Sequence, residues 1–158
     1  ARGRWRLWAV RALMVLSLGY ALVAGADYLR TYAANVADIN RMHVAMGRWL
    51  RDHTPADAVI ATNDIGAIAY YSERRILDIV GLASPQTLAY LKAGVEADQG
   101  VLRLLTDERP DYLVILPNWY PQLAEMRYLF FPLHEIEVGA ATIAGGSRLV
   151  AYRTIWAD

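Results

Sequence analysis

Hydrophobic and polar positions divide the chain sharply near its start. Residues 12–26 (ALMVLSLGYALVAGA) carry no charge, and Asp27 closes the run. Its 15 residues fall short of the roughly 20 that cross about 30 Å of hydrocarbon. Counting back to Leu7 supplies that length, provided that the aliphatic stem of Arg11 lets its charge reach the headgroups. The pattern therefore predicts a membrane helix within residues 1–30.

The charges beside this run predict its orientation. Four arginines precede it: Arg2, Arg4, Arg6 and Arg11. Because basic flanks stay on the inner side of a membrane, we expect a cytoplasmic N-terminal flank and an extracytoplasmic domain over residues 31–158. Trp5 and Trp8 suit the aromatic belt at the membrane interface. The predicted location is the cell membrane, with the lipid bilayer as a partner.

Two other interpretations of the run stay open. A secretory signal peptide also has a basic start, a short apolar core and a small-residue exit, and Ala24-Gly25-Ala26 fits that exit. Against it, the sequence begins with Ala1 rather than Met, which favours a piece of a longer protein. A buried helix of a soluble protein is the third interpretation.

Helical periodicity follows the apolar run. Between Ala33 and His53, apolar residues recur at steps of three and four, which predicts an amphipathic helix that ends before Pro55. That helix could continue directly from the membrane helix. Pro85 with Ser84 as N-cap predicts another helix start. Further helices are predicted over 98–107 and 119–126.

Short apolar stretches between these helices predict strands. They cover residues 58–62, 75–80, 111–116 and 133–138, and 66–71 fits either a short helix or an extended segment. Residues 140–144 and 147–155 flank Gly145-Gly146, a pattern typical of a two-residue β-hairpin turn. The order predicts an α/β fold: one N-terminal transmembrane helix, then a small α/β sandwich with a mixed sheet and a C-terminal β-hairpin.

Composition narrows the function by exclusion. The net charge is zero, so no basic surface for nucleic acid is expected. Cysteine is absent, which excludes disulfides and thiol chemistry. No phosphate-binding or nucleotide-binding glycine motif occurs, and the helical spacing of His43 and His53 is too long for a shared metal. We therefore predict no catalytic residue, no metal site and no cofactor in this chain.

One stretch, residues 63–85, carries a pattern beyond what folding requires. Its candidate substrate- or membrane-facing residues are Asp64, Tyr70, Tyr71, Arg74 and Arg75. Asp64 follows a predicted buried strand, where loop residues commonly carry function. Tyrosine and arginine tips suit lipid headgroups or a phosphate. A purely structural interpretation stays open, in which Asp64 caps the next element and the other four side chains pack or solvate a turn.

This stretch resembles the C-terminal extracytoplasmic domain of bacterial C-type glycosyltransferases. These are membrane enzymes of the protein-mannosyltransferase and aminoarabinose-transferase kind. The resemblance covers about residues 12–155, most strongly over roughly 40 residues. The positions that match are Asp64, Gly66, Ala69, Tyr70, Ser72, Arg75, Asp78, Gly81, Leu82, Ser84 and Pro85. The multi-helix membrane core of such enzymes is missing, and with it their catalytic acidic residue.

The resemblance implies transfer of a sugar from a polyprenyl-phosphate donor to an acceptor at the outer face of the cell membrane. The implied partners are that donor and the chain's own upstream membrane core, and this fragment would be an accessory part without the catalytic residues. Two alternatives are a single-helix membrane-anchored binding or assembly module, in which the helix over 36–53 docks to a partner, and a secreted α/β binding protein released after Ala26.

Overall fold

The computed structural model describes residues 4–91, 96–139 and 141–157. The chain divides between Val36 and Ala37 into two compact units. This division is a property of the fold. The boundary predicted after residue 30, between a membrane helix and an extracytoplasmic domain, is a different one and stays a prediction.

The N-terminal unit is part of one long helix, α1 (Arg4–Ile39). Its apolar side chains are exposed, and it is the one helix of the described residues that is long and apolar enough to cross a membrane. The guanidinium carbon of Arg11 lies 5.4 Å from the centre of the Trp8 ring. That contact pairs the charge nearest the apolar run with an aromatic ring of the same helix.

A π-helical turn (Asn40–Val44) follows α1 and leads directly into α2 (Ala45–His53). The predicted amphipathic helix is therefore present, and it does continue from the long N-terminal helix. A π turn inserts one extra residue per turn and changes which side chains face the same side. Here it precedes the helix whose apolar side enters the core.

The folded unit contains a mixed five-stranded sheet. Its strands are β1 (Val59–Thr62), β2 (Arg75–Asp78), β3 (Tyr112–Ile115), β4 (Phe130–Glu137) and β5 (Arg148–Thr154). The spatial order is β2-β1-β3-β5-β4. β1 is parallel to both β2 and β3, whereas β5 is antiparallel to β3 and β4. The predicted α/β fold with a mixed sheet is confirmed.

The remaining helices are short except for one. They are α3 (Ala67–Ser72), α4 (Ala97–Glu108) and α5 (Pro121–Glu125). The helix predicted at Ser84-Pro85 is a single 3₁₀ segment, Pro85–Ala89, and the Ser84 side chain makes no capping hydrogen bond. A 3₁₀ geometry suits such a short segment, since it closes hydrogen bonds with fewer residues.

The predicted turn of the C-terminal hairpin is wrong. β4 and β5 do form an antiparallel pair, but residues 138–147 connect them, and no strand occupies 141–144. Gly145-Gly146 lies within that connection rather than at a two-residue turn. The Thr142 backbone N–H donates to the buried Asp38 carboxylate instead, so it is not available for a strand hydrogen bond with β5.

Two apolar cores cover the two faces of the sheet. Alternate residues of β3 point to opposite sides, so Leu113 packs with α4 while Val114 packs with α2. On the α2 side, Met42, Met46 and Leu50 are fully buried. The apolar stripe over 36–53, considered above as a docking surface, is therefore mostly part of the core of the folded unit.

Candidate functional site: a cleft at the carboxyl edge of the parallel strands

The three parallel strands end at one edge of the sheet. From β1 the chain passes through α3 to β2 on one side, while β3 lies on the other side of β1. Connections that leave neighbouring strands in opposite directions leave a crevice at the carboxyl edge, which is where open α/β sheets bind ligands. That crevice lies between β1 and β3.

The place where the connections change direction is the topological switch point of the sheet. A cleft of about 520 Å³ lies there, and we call it the switch-point cleft. His43, Asn63 and Asp64 supply its polar side chains. Its larger apolar side chains are Ile39, Ile65, Val80, Leu82, Leu116, Trp119 and Ile143. Among the described residues, no lysine or arginine lines it. The volume and the few polar groups within apolar walls are typical of small-ligand sites.

The polar floor of the cleft contains a histidine–carboxylate pair. His43 comes from the π turn and is buried, and its Nε2 lies 3.3 Å from Oδ2 of Asp64. Asp64 is fixed in the loop after β1, because its Oδ1 accepts the Gly66 N–H at 2.8 Å. The Asp64 N–H donates to Oγ1 of Thr62. The loop backbone therefore holds the Asp64 carboxylate opposite His43.

Burial sets the protonation state of this pair. Burial lowers the pKa of His43 below its usual value, although the Asp64 carboxylate acts in the opposite direction. The imidazole is thus neutral at pH 7.

Two buried polar atoms near the cleft floor have no hydrogen-bond partner within residues 4–91, 96–139 and 141–157. They are Nδ1 of His43 and Oδ1 of Asn63. Buried polar groups are normally paired, so such atoms call for an explanation. Both atoms are closed off from solvent, so a ligand in the cleft reaches neither of them unless the floor moves.

The loop after β2 forms another wall of the cleft, and Asp78 organises it. The buried carboxylate accepts four backbone N–H bonds, from Val80, Gly81, Ala83 and Ser84. Burial alone would raise the pKa of Asp78, but these four bonds outweigh it and hold the pKa below its usual value. Asp78 therefore positions Val80 and Leu82 at the cleft while remaining ionised.

The connection between β4 and β5 closes the far side. The buried Asp38 carboxylate accepts the Thr142 N–H at 2.6 Å and the Thr142 hydroxyl at 2.7 Å. These bonds, the side-chain bond first, hold the pKa of Asp38 below its usual value. The Trp119 indole N–H donates to the Gly145 carbonyl at 2.9 Å. Both contacts fix Ile143 and Trp119 as cleft walls.

The five residues that the sequence singled out do not form one site. Asp64 lies in the cleft. Tyr70 is 77% exposed on α3, outside the cleft lining, and its ring meets Tyr71 edge-on at 5.0 Å. The Arg48 guanidinium carbon lies 5.2 Å from the Tyr71 ring centre. The tyrosines therefore form a separate aromatic pair on the surface of α3.

The two neighbouring arginines have different surroundings. The Arg74 guanidinium donates to the carbonyl oxygens of Arg51, Thr54 and Ser72 and to the Thr54 hydroxyl. It therefore joins the start of β2 to the end of α2. Arg75 is exposed at the first position of β2, a strand at the edge of the sheet.

Sequence reasoning missed His43. In the sequence, His43 was considered only together with His53, as a possible pair of metal ligands. In the structure, its partner is Asp64. The other two histidines each stack on Trp49, at centroid distances of 4.8 Å for His53 and 4.4 Å for His134. No sequence signal marks a π turn, so the pairing of His43 could not be read from spacing. Within the described ranges, no group of three or more side chains could hold a metal ion.

Residues 30–154, well over half of the chain, match a family described as a domain of unknown function (DUF8728). No curated protein and no solved structure matches the chain.

Proposed function

The chain belongs to the DUF8728 family, and from that premise we propose that it is the C-terminal accessory part of an integral-membrane glycosyltransferase. In this proposal the enzyme transfers a sugar from a polyprenyl-phosphate donor at the outer face of the cell membrane. Residues 31–158 are extracytoplasmic, and catalysis belongs to the upstream membrane core rather than to this chain.

The observation that carries the proposal is the location of the glycosyltransferase-like residues. Three of the matching positions, Asp64, Gly66 and Leu82, line the switch-point cleft. A fourth, Asp78, holds the loop that presents Leu82. The stretch that carries the resemblance therefore builds a ligand-sized cleft, which supports a substrate-handling role for the domain.

The long apolar helix supports the membrane part of the proposal. Ile39, which lines the cleft, follows Ala26, the last residue of the uncharged run, by 13 residues. A cleft so close in sequence to a membrane segment suits a substrate that is delivered on a lipid.

Transfer assays on the intact membrane protein test this function. Membranes that contain the protein with its natural upstream sequence should move labelled sugar from a polyprenyl-phosphate donor, and membranes without it should not. Absence of any such transfer would contradict the proposal.

Variants of the exposed candidates refine the test. Tyr70→Ala and Arg75→Ala should each lower transfer without changing the thermal unfolding of the domain, because both side chains are exposed and available to headgroups or substrate. Tyr128→Ala is the matched control, since Tyr128 is 68% exposed on a different loop. Equal activity of all three variants would remove Tyr70 and Arg75 from the proposal.

A further inference from the structure

We propose that the rim of the switch-point cleft is a membrane-docking surface, which inserts apolar side chains into the interface of the bilayer that holds α1. The rim consists of Leu82, Trp119 and Ile143, and we call it the cleft rim. The proposal rests on the membrane part of the proposed function, the insertion of α1, and is independent of sugar transfer.

The cleft opens at the end of the folded unit where α1 ends. Ile39, the last residue of α1, and His43 both line the cleft. β1 runs back toward the start of α2, because Asp64 in the loop after β1 lies 3.3 Å from His43. Asp38, one residue before the end of α1, binds Thr142 at the far wall of the cleft. The carboxyl edge of the parallel strands is therefore the edge of the sheet beside which α1 ends.

The cleft rim exposes large apolar side chains at this end. Leu82 is 76% exposed, Ile143 56% and Trp119 49%, and all three line the same cleft. They come from three separate segments, namely the loop after β2, the connection between β4 and β5, and the loop after β3. Single exposed apolar residues are common, whereas several that converge on one place are typical of an interaction surface.

Polar contacts hold the cleft rim in place. The backbone N–H of the residue after Leu82 donates to the Asp78 carboxylate. The residue before Ile143 donates twice to Asp38, and the indole N–H of Trp119 donates to a backbone carbonyl. A rim that is fixed in this way can enter an apolar phase at a small cost in conformational entropy.

The charge of the cleft indicates which kind of membrane contact is possible. Among the described residues, no arginine or lysine lines the cleft, and its one carboxylate, Asp64, is 24% exposed and faces His43. The unpartnered polar atoms of the floor are closed off from solvent. Attraction to anionic headgroups needs basic side chains, so the cleft rim docks by burying apolar area instead.

The bilayer is the occupant because the chain itself leads from it to the cleft. Ile39 follows Ala26 by 13 residues, which is at most about 20 Å of helix. Tyr28, Leu29 and Tyr32 lie between them in sequence and are exposed. Tyrosine and tryptophan are enriched at membrane–water interfaces. Apolar and aromatic exposure therefore continues along the chain from the apolar run to the end at which the cleft opens.

Spin labels on single cysteines test the docking, because the sequence contains no cysteine. Ile143→Cys carries the label on the cleft rim. Ile155→Cys is the matched control, since Ile155 is 53% exposed and follows β5 at the edge where β3 begins. The labelled 158-residue chains are placed in phosphatidylcholine nanodiscs. Electron paramagnetic resonance then measures collisions of each label with oxygen, which concentrates in lipid, and with a water-soluble nickel complex.

We expect the label at position 143 to lose contact with the nickel complex and to gain contact with oxygen. The label at position 155 should stay accessible to the nickel complex. Equal access of the nickel complex to both positions would overturn the proposal. Protection at position 143 that increases with the number of chains per nanodisc would also overturn it, because a second copy of the chain would then be the occupant.

Rim variants of the Ile143→Cys chain test the cause of docking. Leu82→Glu places a charge on the cleft rim, so the label at position 143 should return to water. Tyr128→Glu is the control, since Tyr128 is 68% exposed outside the cleft lining, and it should leave the label in lipid. Protection that survives Leu82→Glu, or that becomes stronger when phosphatidylglycerol replaces part of the lipid, would contradict docking by apolar burial.

A label on α1 separates this proposal from the proposed function. Leu16→Cys lies in the apolar run and should report lipid. Lipid contact at position 16 together with water at position 143 would remove the docking surface and keep the membrane helix. Water at both positions would remove the docking surface and the membrane part of the proposed function together. Docking without sugar transfer by the intact protein would keep the cleft rim assignment and remove only the enzymatic proposal.

Discussion

Arg74 and Arg75 show how neighbouring residues of one type acquire different roles. Arg74 donates to two backbone carbonyls at the end of α2 and to one at the end of α3, where helix carbonyls lack intrahelical partners. Arg75 begins an edge strand and stays exposed. A sequence pattern identifies both as arginines in a turn, but only the fold brings the end of α2 to one of them.

Arg74→Ala should therefore destabilise the folded unit by about 1–3 kcal/mol, because it leaves carbonyl groups without donors. Arg75→Ala is the matched control and should change stability by less than about 0.5 kcal/mol. Urea unfolding followed by circular dichroism measures both. An equal loss in the two variants would show that the Arg74 contacts contribute nothing specific.

At the scale of elements, periodicity predicted most of the secondary structure and failed where a single side chain redirects the backbone. The buried strand at 111–116 and the helix at 98–107 are present because each has an uninterrupted apolar pattern. The arm predicted at 140–144 has such a pattern too, but within its described residues Thr142 binds Asp38, 104 residues earlier. Contacts at that separation leave no local signal.

The same reason explains which part of the site was predictable. Asp64 could be selected from the sequence because it follows a predicted buried strand, and it lines the candidate cleft. His43 and Trp119 were not selected, because they reach the cleft from a π turn and from the loop after β3. Their convergence depends on strand order, which the sequence does not display.

The connection between β4 and β5 should depend on Asp38. Asp38→Ala removes the acceptor for the Thr142 N–H and hydroxyl, so we expect amide hydrogen exchange at Thr142 to accelerate about tenfold or more. Asp57→Ala, at an exposed position, is the control and should leave the Thr142 rate unchanged. An unaltered rate in Asp38→Ala would mean that other contacts hold this connection.

At the scale of the whole molecule, the histidines couple stability to pH. Burial lowers the pKa of His43, and burial followed by the neighbouring His53 lowers the pKa of His134, each from an ordinary value of 6.5. The unfolded chain therefore takes up protons at a higher pH than the folded chain. Linkage then requires the free energy of unfolding to fall as the pH drops below about 6.5.

Denaturant unfolding between about pH 7.5 and 5.5 measures this effect, above the range in which carboxylates titrate. We expect stability to be constant near the upper limit and to decline toward the lower one. The double variant His43→Gln, His134→Gln should flatten that decline. A protein that becomes more stable on acidification would contradict the assignment of neutral, buried imidazoles.

The position of β5 has a consequence for how the protein is made. Among the described residues β5 is the last strand in sequence order, yet it lies between β3 and β4 and contributes Leu149, Val150, Ala151 and Tyr152 to the cores. Until it arrives during synthesis, β3 has an open edge and β4 has no neighbour in the sheet. Such an intermediate exposes apolar surface and pairs readily with other strands. The N-terminal helix is synthesised early, but the sheet can close only after residues 148–154 have emerged from the ribosome. The partly formed sheet is most prone to aggregation during that interval, which is when a chaperone would protect it most.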